Sequence, residues 1–121
     1  FNISNSKILN TRSDGFDSDF SAGLISDSVF SGVGGDALDF SGGANYVKNV
    51  KIMDVHDKGI SAGEGSVVDL SNIFMSEVGV GIAAKDGSDV NASDININDY
   101  QLHAAMSYIK KDTITNILTL I

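Results

Sequence analysis

The 121-residue sequence contains no cysteine, no proline and no tryptophan. Without cysteine it has neither a disulfide framework nor thiol chemistry, so cysteine usage does not indicate a redox compartment. No apolar run approaches the roughly 20 residues that a membrane-spanning helix needs, and no charged-then-apolar signal segment opens the chain. The sequence therefore predicts no membrane insertion.

Positive charge is also scarce in this chain. Eight Lys and Arg residues stand against sixteen Asp and Glu residues, which gives a formal net charge of -8. An excess of negative charge argues against nucleic acid, and against an anionic membrane surface, as the main partner. Cations, neutral sugars and basic protein surfaces stay open as partners.

The residues that are abundant favour strands and tight turns over helices. Thirteen glycines accompany many Asn, Ser, Asp, Val and Ile residues, a composition typical of short strands joined by turns. The length suits one domain with a single core. Because the chain begins at Phe1 rather than at a methionine, we expect it to be an excerpt of a longer protein.

One segment near the middle of the chain recurs at a fixed interval. Residues 57–66 have near-copies at 35–44 and 79–88, and a more distant copy at 13–22, each starting 22 residues from the next. Self-similarity at one fixed period is the sequence signature of a repeat architecture.

Stacking the repeats produces two apolar columns, two residues apart. The first contains Phe16, Leu38, Ile60, Ile82 and Ala104, and the second contains Ser18, Phe40, Ala62, Ala84 and Met106. A step of two is the strand period, so both columns are expected to face the interior. The residues between them, Asp17, Asp39, Ser61 and Ala83, are expected to point outward.

Two further apolar sets predict two more strands in each repeat. They are Leu24, Tyr46, Val68 and Val90, and then Ile8, Phe30, Ile52 and Phe74, and we interpret Tyr46 as a core residue on this basis. Near Asn96 the pattern loosens, which predicts a one-residue slip or bulge.

The repeat predicts an all-β, single-stranded parallel β-helix, a solenoid of about four to five coils with a 22-residue period and coils about 4.8 Å apart. Helical solenoids need longer runs of good helix formers than these segments supply. We expect one domain over residues 1–121. Residues 1–12 would form a partial coil, 13–100 the regular coils, and 101–121 the last coil with a cap or an extra strand.

Three motifs resemble the right-handed parallel β-helix repeat family, the pectate-lyase-like superfamily that includes secreted and surface proteins of bacteria. They are Asp-Ala-Leu-Asp-Phe-Ser-Gly at 36–42, Asp-Lys-Gly-Ile-Ser at 57–61 and Gly-Ile-Ala-Ala-Lys-Asp-Gly-Ser at 81–88. The resemblance implies a right-handed solenoid and an extracellular or cell-surface location. It also implies a function related to polysaccharides, although the family includes lyases, hydrolases, epimerases, adhesins and spikes.

Five aspartates of the first two coils are the leading candidate site. They are Asp14, Asp17, Asp19, Asp36 and Asp39, and no Lys or Arg occurs between Arg12 and Lys48. Stacked carboxylates repel one another unless they are protonated, hydrated or bound to a cation, so the five are candidate ligands of calcium. Alternatively, Asp17 and Asp39 act as catalytic carboxylates on a sugar, or all five are solvated turn residues.

Three other side chains are candidates for ligand binding: Lys58, Lys85 and Tyr108. Lys58 falls in the column of Asp36, one coil further on, so an ion-pair ladder between stacked coils explains it equally well. Neither histidine, His56 or His103, shares a column with the other, and we interpret His56 as a solvated turn residue.

The sequence thus favours a non-catalytic β-helix module of a secreted or surface-exposed microbial protein. Its elongated face would serve glycan, calcium or subunit contacts, with polysaccharide as one partner and a homo-oligomer or a neighbouring domain at the coil ends as another. Two alternatives stay open. One is a fragment of a polysaccharide lyase, hydrolase or epimerase that uses outward stacked carboxylates. The other is a self-assembling fibrous or spike-like protein.

Overall fold

A computed structural model describes residues 1–110 and 117–120. This part of the chain forms nine β-strands and no helix: β1 Asn2–Ser4, β2 Lys7–Thr11, β3 Phe16–Asp19, β4 Gly23–Val33, β5 Leu38–Ser41, β6 Ala44–Gly63, β7 Val67–Lys85, β8 Asp89–Tyr108 and β9 Ile117–Leu120. Accordingly, no helix in the described ranges is long and apolar enough to span a membrane.

The strands stack in parallel as the coils of a solenoid. The main hydrogen-bonded order is β1-β4-β6-β7-β8-β9, while β2 pairs with β4, β3 with β5, and β5 with β6. The chain makes about five turns with a spacing of about 22 residues. The predicted all-β parallel β-helix is therefore confirmed.

Long strands such as β6 bend sharply at two corners without ending, because one residue at each corner has a positive φ. The first corner uses Asn5, Asp27, Asn49, Asn72 and Asp94, with φ between 51° and 55°, and the second uses Asn10, Gly32, Asp54, Glu77 and Asp99, with φ between 53° and 69°. Glycine, asparagine and aspartate tolerate this left-handed conformation best. Nine of these ten residues are of those three types, so local sequence sets where the coil turns.

The first corner also carries a short ladder of side-chain hydrogen bonds. The Asn49 Nδ2 atom donates to Asp27 Oδ1 at 3.0 Å, and Asn72 Nδ2 donates to Asn49 Oδ1 at 2.9 Å. The sequence contains a signal for this ladder, because Asp27, Asn49 and Asn72 follow one another at intervals of about one coil.

The interior is filled by the inward columns of the three strands. Large side chains with almost no exposure include Ile25, Phe30, Leu38, Phe40, Ile52, Ile60, Ile73 and Ile82. Phe16, Leu38, Ile60 and Ile82 pair in register as predicted, but Ala105, not Ala104, completes the column. The corner after Tyr100 is one residue longer than the corresponding corner of β7, so Met106 pairs with Ala83 and belongs to the outward column.

A longer turn before β7 corrects a second prediction. Residues 64–66 add one residue there, so β6 and β7 pair at a spacing of 23 from Ala44 and Val67 to Val55 and Val78. Asn45, rather than Tyr46, is therefore the neighbour of Val68 in the inward column. Tyr46 is 55% exposed, and its interpretation as a core residue is wrong.

The same shift affects the second strand of the coil. Ile52 pairs with Met75, and Phe74 lies one position away, opposite Lys51 and Asn96. The slip predicted near Asn96 is also wrong, because residues 73–76 pair with 95–98 in unbroken register. The irregularities lie at the neighbouring corners, where a backbone without a regular ladder can absorb one residue.

Near the C-terminal end, β9 adds a parallel strand beside Asp89–Ala92. The remaining tail residues for which a cap or an extra strand was predicted, at 111–116 and 121, lie outside the described residues.

Candidate functional site

The third strand of each coil forms one parallel sheet, which we call the third sheet. It comprises β3, β5 and the C-terminal ends of β6, β7 and β8. Its outward column, in order along the solenoid axis, consists of Asp17, Asp39, Ser61, Ala83 and Met106. The alternation predicted from the two-residue step thus places Asp17 and Asp39 as direct neighbours on one face.

Exposure changes along this outward column. Asp17 is exposed and Asp39 is half-buried, whereas Ser61 and Ala83 both have 0% exposure. Ala83 is nevertheless not part of the hydrophobic core cluster that holds its neighbours Ile82 and Ala84. The middle of the face is therefore a covered recess, which we define by Asp39, Ser61 and Ala83.

Two polar atoms in the recess lack partners. Asp39 Oδ1 and Ser61 Oγ are buried and make no hydrogen bond within the described residues, although Asp39 and Ser61 are paired across neighbouring coils. A buried polar group without a partner costs about 1–3 kcal/mol. Such groups are uncommon in native proteins, and an ordered water molecule or an ion is one standard explanation for them.

A ladder of carboxylates and backbone amides runs along the edge of this face. Asp14 Oδ1 accepts a hydrogen bond of 2.8 Å from the Asp36 backbone N–H, and Asp36 Oδ1 accepts one of 3.0 Å from the Lys58 backbone N–H. The Lys58 ammonium lies 3.4 Å from Asp36 Oδ1 and 2.7 Å from Asp57 Oδ2. The alternative of an ion-pair ladder for Lys58 and Asp36 thus has direct geometric support.

Burial shapes the electrostatics of this ladder. It raises the pKa of Asp36 from 3.8 to about 6, although the Lys58 charge and the backbone hydrogen bond act in the opposite direction. Burial lowers the pKa of Lys58, but the hydrogen bond to Asp57 and the charges of Asp36 and Asp57 outweigh it, so the net shift is upward. Asp36 is 7% exposed, which explains why desolvation dominates there.

Tyr108 interacts electrostatically with charged residues that flank the third sheet. Burial is the main reason that its pKa is raised, and the Lys58 charge opposes this effect. The charges of Asp57, Asp36 and Asp86 raise it further. Tyr108 also pairs with Lys85 at the end of the sheet, so it borders the recess.

Lys85 borders the recess at the same end. Its Cε atom would lie 3.4 Å from a Cβ added at Gly63, so its side chain crosses to the preceding coil. The three residues predicted to bind ligand, Lys58, Lys85 and Tyr108, therefore all flank the third sheet. Sequence reasoning noted Ser61 only as a small outward residue. Its position in the column of Asp17 and Asp39 was the available signal.

The five predicted aspartates divide into two groups. Asp14 and Asp36 accept backbone hydrogen bonds at the edge of the face, whereas Asp17, Asp19 and Asp39 lie on the outward side of β3 and β5. The pKa of Asp17 is raised by burial and then by the charges of Asp19, Asp39 and Asp14. In the described ranges no three His, Cys, Asp or Glu side chains are placed to hold a metal ion, so calcium binding stays a prediction.

The pKa of Asp36 leads to a testable pH dependence. Because its folded pKa lies above its unfolded value, the folded state holds more protons between pH 4 and 6, and this contribution to stability falls as the pH rises through about 6. Asp36→Asn retains the acceptor for the Lys58 N–H but cannot titrate. Urea denaturation would measure the free energy of unfolding of both proteins. We expect the difference, variant minus wild type, to increase by on the order of 2 kcal/mol between pH 4 and pH 7.

The matched control for this prediction is Asp94→Asn, since Asp94 is an exposed aspartate at the first corner and does not act on Asp36. It should keep the wild-type pH profile in this window. Equal slopes for wild type and Asp36→Asn would show that Asp36 is not the titrating group.

Parallel strands stacked in repeated coils define the class of this protein as a parallel β-solenoid. Residues 1–118 match the family model described as a right handed beta helix region, and the chain therefore belongs to the right-handed β-helix family. Comparison with curated proteins and with solved structures gave no significant match. The predicted family resemblance is confirmed. Membership establishes the fold, while the activity must be argued from the site.

Proposed function

We propose that this chain is a non-catalytic binding module that holds a neutral polysaccharide across the outward face of the third sheet. The observation that carries the proposal is the outward row of carboxylates on β3 and β5, in which Asp17 and Asp19 are exposed and Asp39 is half-buried. Carboxylate oxygens on such a face accept hydrogen bonds from sugar hydroxyls. The unpartnered atoms Asp39 Oδ1 and Ser61 Oγ lie below the surface and do not contact the ligand.

The charges around the recess support a neutral rather than an anionic glycan. Asp17, Asp19 and Asp39 line the same two strands, and the chain has a net charge of -8. The Lys58 ammonium is already engaged by Asp36 and Asp57. An anionic polymer would therefore meet more repulsion than attraction on this face.

The shape of the solenoid also favours a linear ligand. Successive coils present equivalent positions at intervals of about 4.8 Å, so a chain of sugars lying along the axis would meet Asp17 and then Asp39. The Tyr108 ring borders this path and could pack on a sugar face. A location outside the cell, where such polymers occur, is part of the same proposal.

Affinity electrophoresis against soluble neutral and anionic polysaccharides would test the proposal. Neutral polymers should retard the protein more than polygalacturonate or alginate does, and Asp39→Ala should weaken binding by at least about tenfold, the effect of losing a charge-assisted hydrogen bond. Ser61→Ala should leave retardation unchanged, because the Ser61 hydroxyl is fully buried and does not reach the ligand.

Asp69→Ala is the matched control for Asp39→Ala. Asp69 is also a half-buried outward aspartate on a strand, but it lies at the start of the coil, away from the recess. Its substitution should leave retardation unchanged. No retardation by any neutral polymer, or an equal loss with Asp69→Ala, would refute the proposal.

Glycoside hydrolysis is the second candidate function. Asp17 and Asp39 pair on adjacent coils, about 4.8 Å apart at the backbone, and retaining glycosidases hold their two carboxyl groups about 5–5.5 Å apart. The raised pKa of Asp17 is the direction that a general acid requires. Release of reducing ends that disappears in Asp17→Asn and Asp39→Asn would favour this function. Unsaturated uronates would instead indicate a lyase.

Calcium binding and self-association can be tested on the same samples. A calcium-dependent rise in Tm that is lost in Asp17→Asn would support a cation site among the five aspartates. Sedimentation velocity over a concentration series would reveal stacking of coils between molecules, and a constant monomer would count against a fibrous or spike-like assembly.

A further inference from the structure

A polar groove of about 720 Å³ follows the second corner of the solenoid, between the second and third strands of each coil. We call it the corner groove. Its ionisable lining residues are Arg12, Asp54, His56, Glu77 and Asp99. None of them belongs to the recess of the third sheet or was predicted from the sequence to bind a ligand.

The groove is open because two glycines occupy the second coil at this corner. Gly32 has a φ of 69°, and a Cβ on Gly34 would lie 2.2 Å from the Arg12 carbonyl oxygen. Both positions therefore disfavour side chains for backbone reasons. The result is a gap between Arg12 on the first coil and Asp54 on the third.

The groove has an apolar floor and opposite charges at its two ends. Val33 and Val55 are 2% and 3% exposed and lie along the bottom. Arg12 lies at one end, and carboxylates occupy corner positions on the third and later coils, with Asp54 and Glu77 the nearest to the gap. The side chains of Asp54, Glu77 and Asp99 are exposed at this corner.

These charged groups are not paired with one another. Within the described residues, Arg12, Asp54, Glu77 and Asp99 form no side-chain hydrogen bond and no ion pair. One cation and three anions thus face a common groove with their binding capacity unused. A ligand that carries both charges would meet a complementary partner at each end.

We propose that the corner groove binds a short peptide with free termini, lying along the solenoid axis, with its carboxylate at Arg12 and its ammonium group at Asp54 and Glu77. Coils lie about 4.8 Å apart, so Arg12 and Asp54, which are two coils apart, are separated by about 10 Å along the axis. They are also offset along the coil, because Arg12 follows Thr11 in the column of Val33 and Val55, whereas Asp54 precedes Val55. Three residues in an extended conformation span a similar length, at about 3.4 Å each. The surplus of carboxylates favours peptides with an additional amino group near the N-terminus.

Peptide binding and polysaccharide binding are independent proposals. The first uses the second corner of the solenoid, the second uses the outward face of the third sheet, and they share no residue. Nuclear magnetic resonance titration with triglycine and with Lys-Gly-Gly at low salt would test it. We expect saturable shifts at the amides of Arg12, Asp54 and Glu77, and tighter binding of Lys-Gly-Gly. N-acetylation and C-terminal amidation should each weaken binding by about fivefold, the effect of one exposed charge pair.

Variants of the protein provide the matching test. Arg12→Gln and Asp54→Asn should each weaken binding of triglycine by about fivefold, and asparagine can keep the left-handed corner at residue 54. Asp94→Asn is the control, since Asp94 is an exposed left-handed aspartate at the first corner. Asp39→Ala should also leave peptide binding intact.

Three results would overturn the proposal. The first is the absence of saturable shifts up to about 20 mM peptide, a range that covers weak single-site affinities. The second is unchanged affinity after capping either terminus, and the third is an equal loss of binding in Asp54→Asn and Asp94→Asn. Loss of polysaccharide binding in Asp39→Ala with intact peptide binding would separate this proposal from the preceding one.

Discussion

Asn45→Val is expected to raise the free energy of unfolding by about 2 kcal/mol or more, a result opposite in sign to most core substitutions. Asn45 is 1% exposed, and neither its Nδ2 nor its Oδ1 atom has a hydrogen-bond partner in the described part of the chain. It pairs with Gly23 on one side and Val68 on the other. Valine would extend the apolar column and remove two unsatisfied groups, each of which costs about 1–3 kcal/mol.

Urea denaturation of wild type, Asn45→Val and Asn91→Val would measure this effect. Asn91 is half-buried on the outward side of β8, in the column of Tyr46 and Asp69, so its substitution should change stability by no more than about 0.5 kcal/mol. A loss of stability in Asn45→Val would contradict the prediction, and would indicate that the asparagine is satisfied by an internal water molecule.

Gly43→Ala and Gly65→Ala are expected to differ strongly, although both glycines have positive φ angles, of 81° and 73°. A Cβ at Gly43 would lie 2.0 Å from the carbonyl oxygen of Ser21, whereas a Cβ at Gly65 meets no atom within 4 Å. Gly65→Ala should therefore cost only the left-handed backbone penalty of about 1–2 kcal/mol. Gly43→Ala should cost about 3 kcal/mol or more, because the backbone of the preceding coil must also move.

The two glycine variants control for each other, since the substitution and the sign of φ are the same and both lie at the turn that follows the third strand. Thermal and urea unfolding would give the two free energies. Equal losses would mean that coil-to-coil contact at Gly43 is not limiting, and that local backbone strain alone determines the cost at this turn.

The two binding proposals assign different chemistry to adjacent parts of the solenoid. The outward face of the third sheet presents the carboxylates of Asp17, Asp19 and Asp39, which suits the hydroxyl groups of a neutral glycan. The corner groove presents unpaired charges, from Arg12 at one end to Glu77 towards the other, which suits a ligand with ionic termini. Both arise because stacking brings residues about 22 positions apart in sequence into contact along the axis.

Part of the candidate site could be predicted from the sequence. The two-residue alternation placed Asp17 and Asp39 on one outward face, and the repeat placed Lys58 next to Asp36, and both placements agree with the structure. Sequence periodicity predicts which face of a strand a side chain lies on, but not whether that face is exposed to solvent. The complete burial of Ser61 was therefore not predicted. The corner groove was missed because its opening depends on the glycines of one coil.

By itself, the sequence determined the architecture: a 22-residue period with alternating apolar residues can bury its side chains only by stacking coils on one another. Asparagine, aspartate and glycine at corner positions determined where each coil turns, because this preference is local. Only the tertiary structure decided the register between β6 and β7, since one extra residue in the turn before β7 stacks the buried Val68 on Asn45 rather than on the exposed Tyr46 without altering the apolar pattern of either strand. Burial and the pairing of polar atoms are likewise properties of the stack, because they depend on side chains supplied by neighbouring coils.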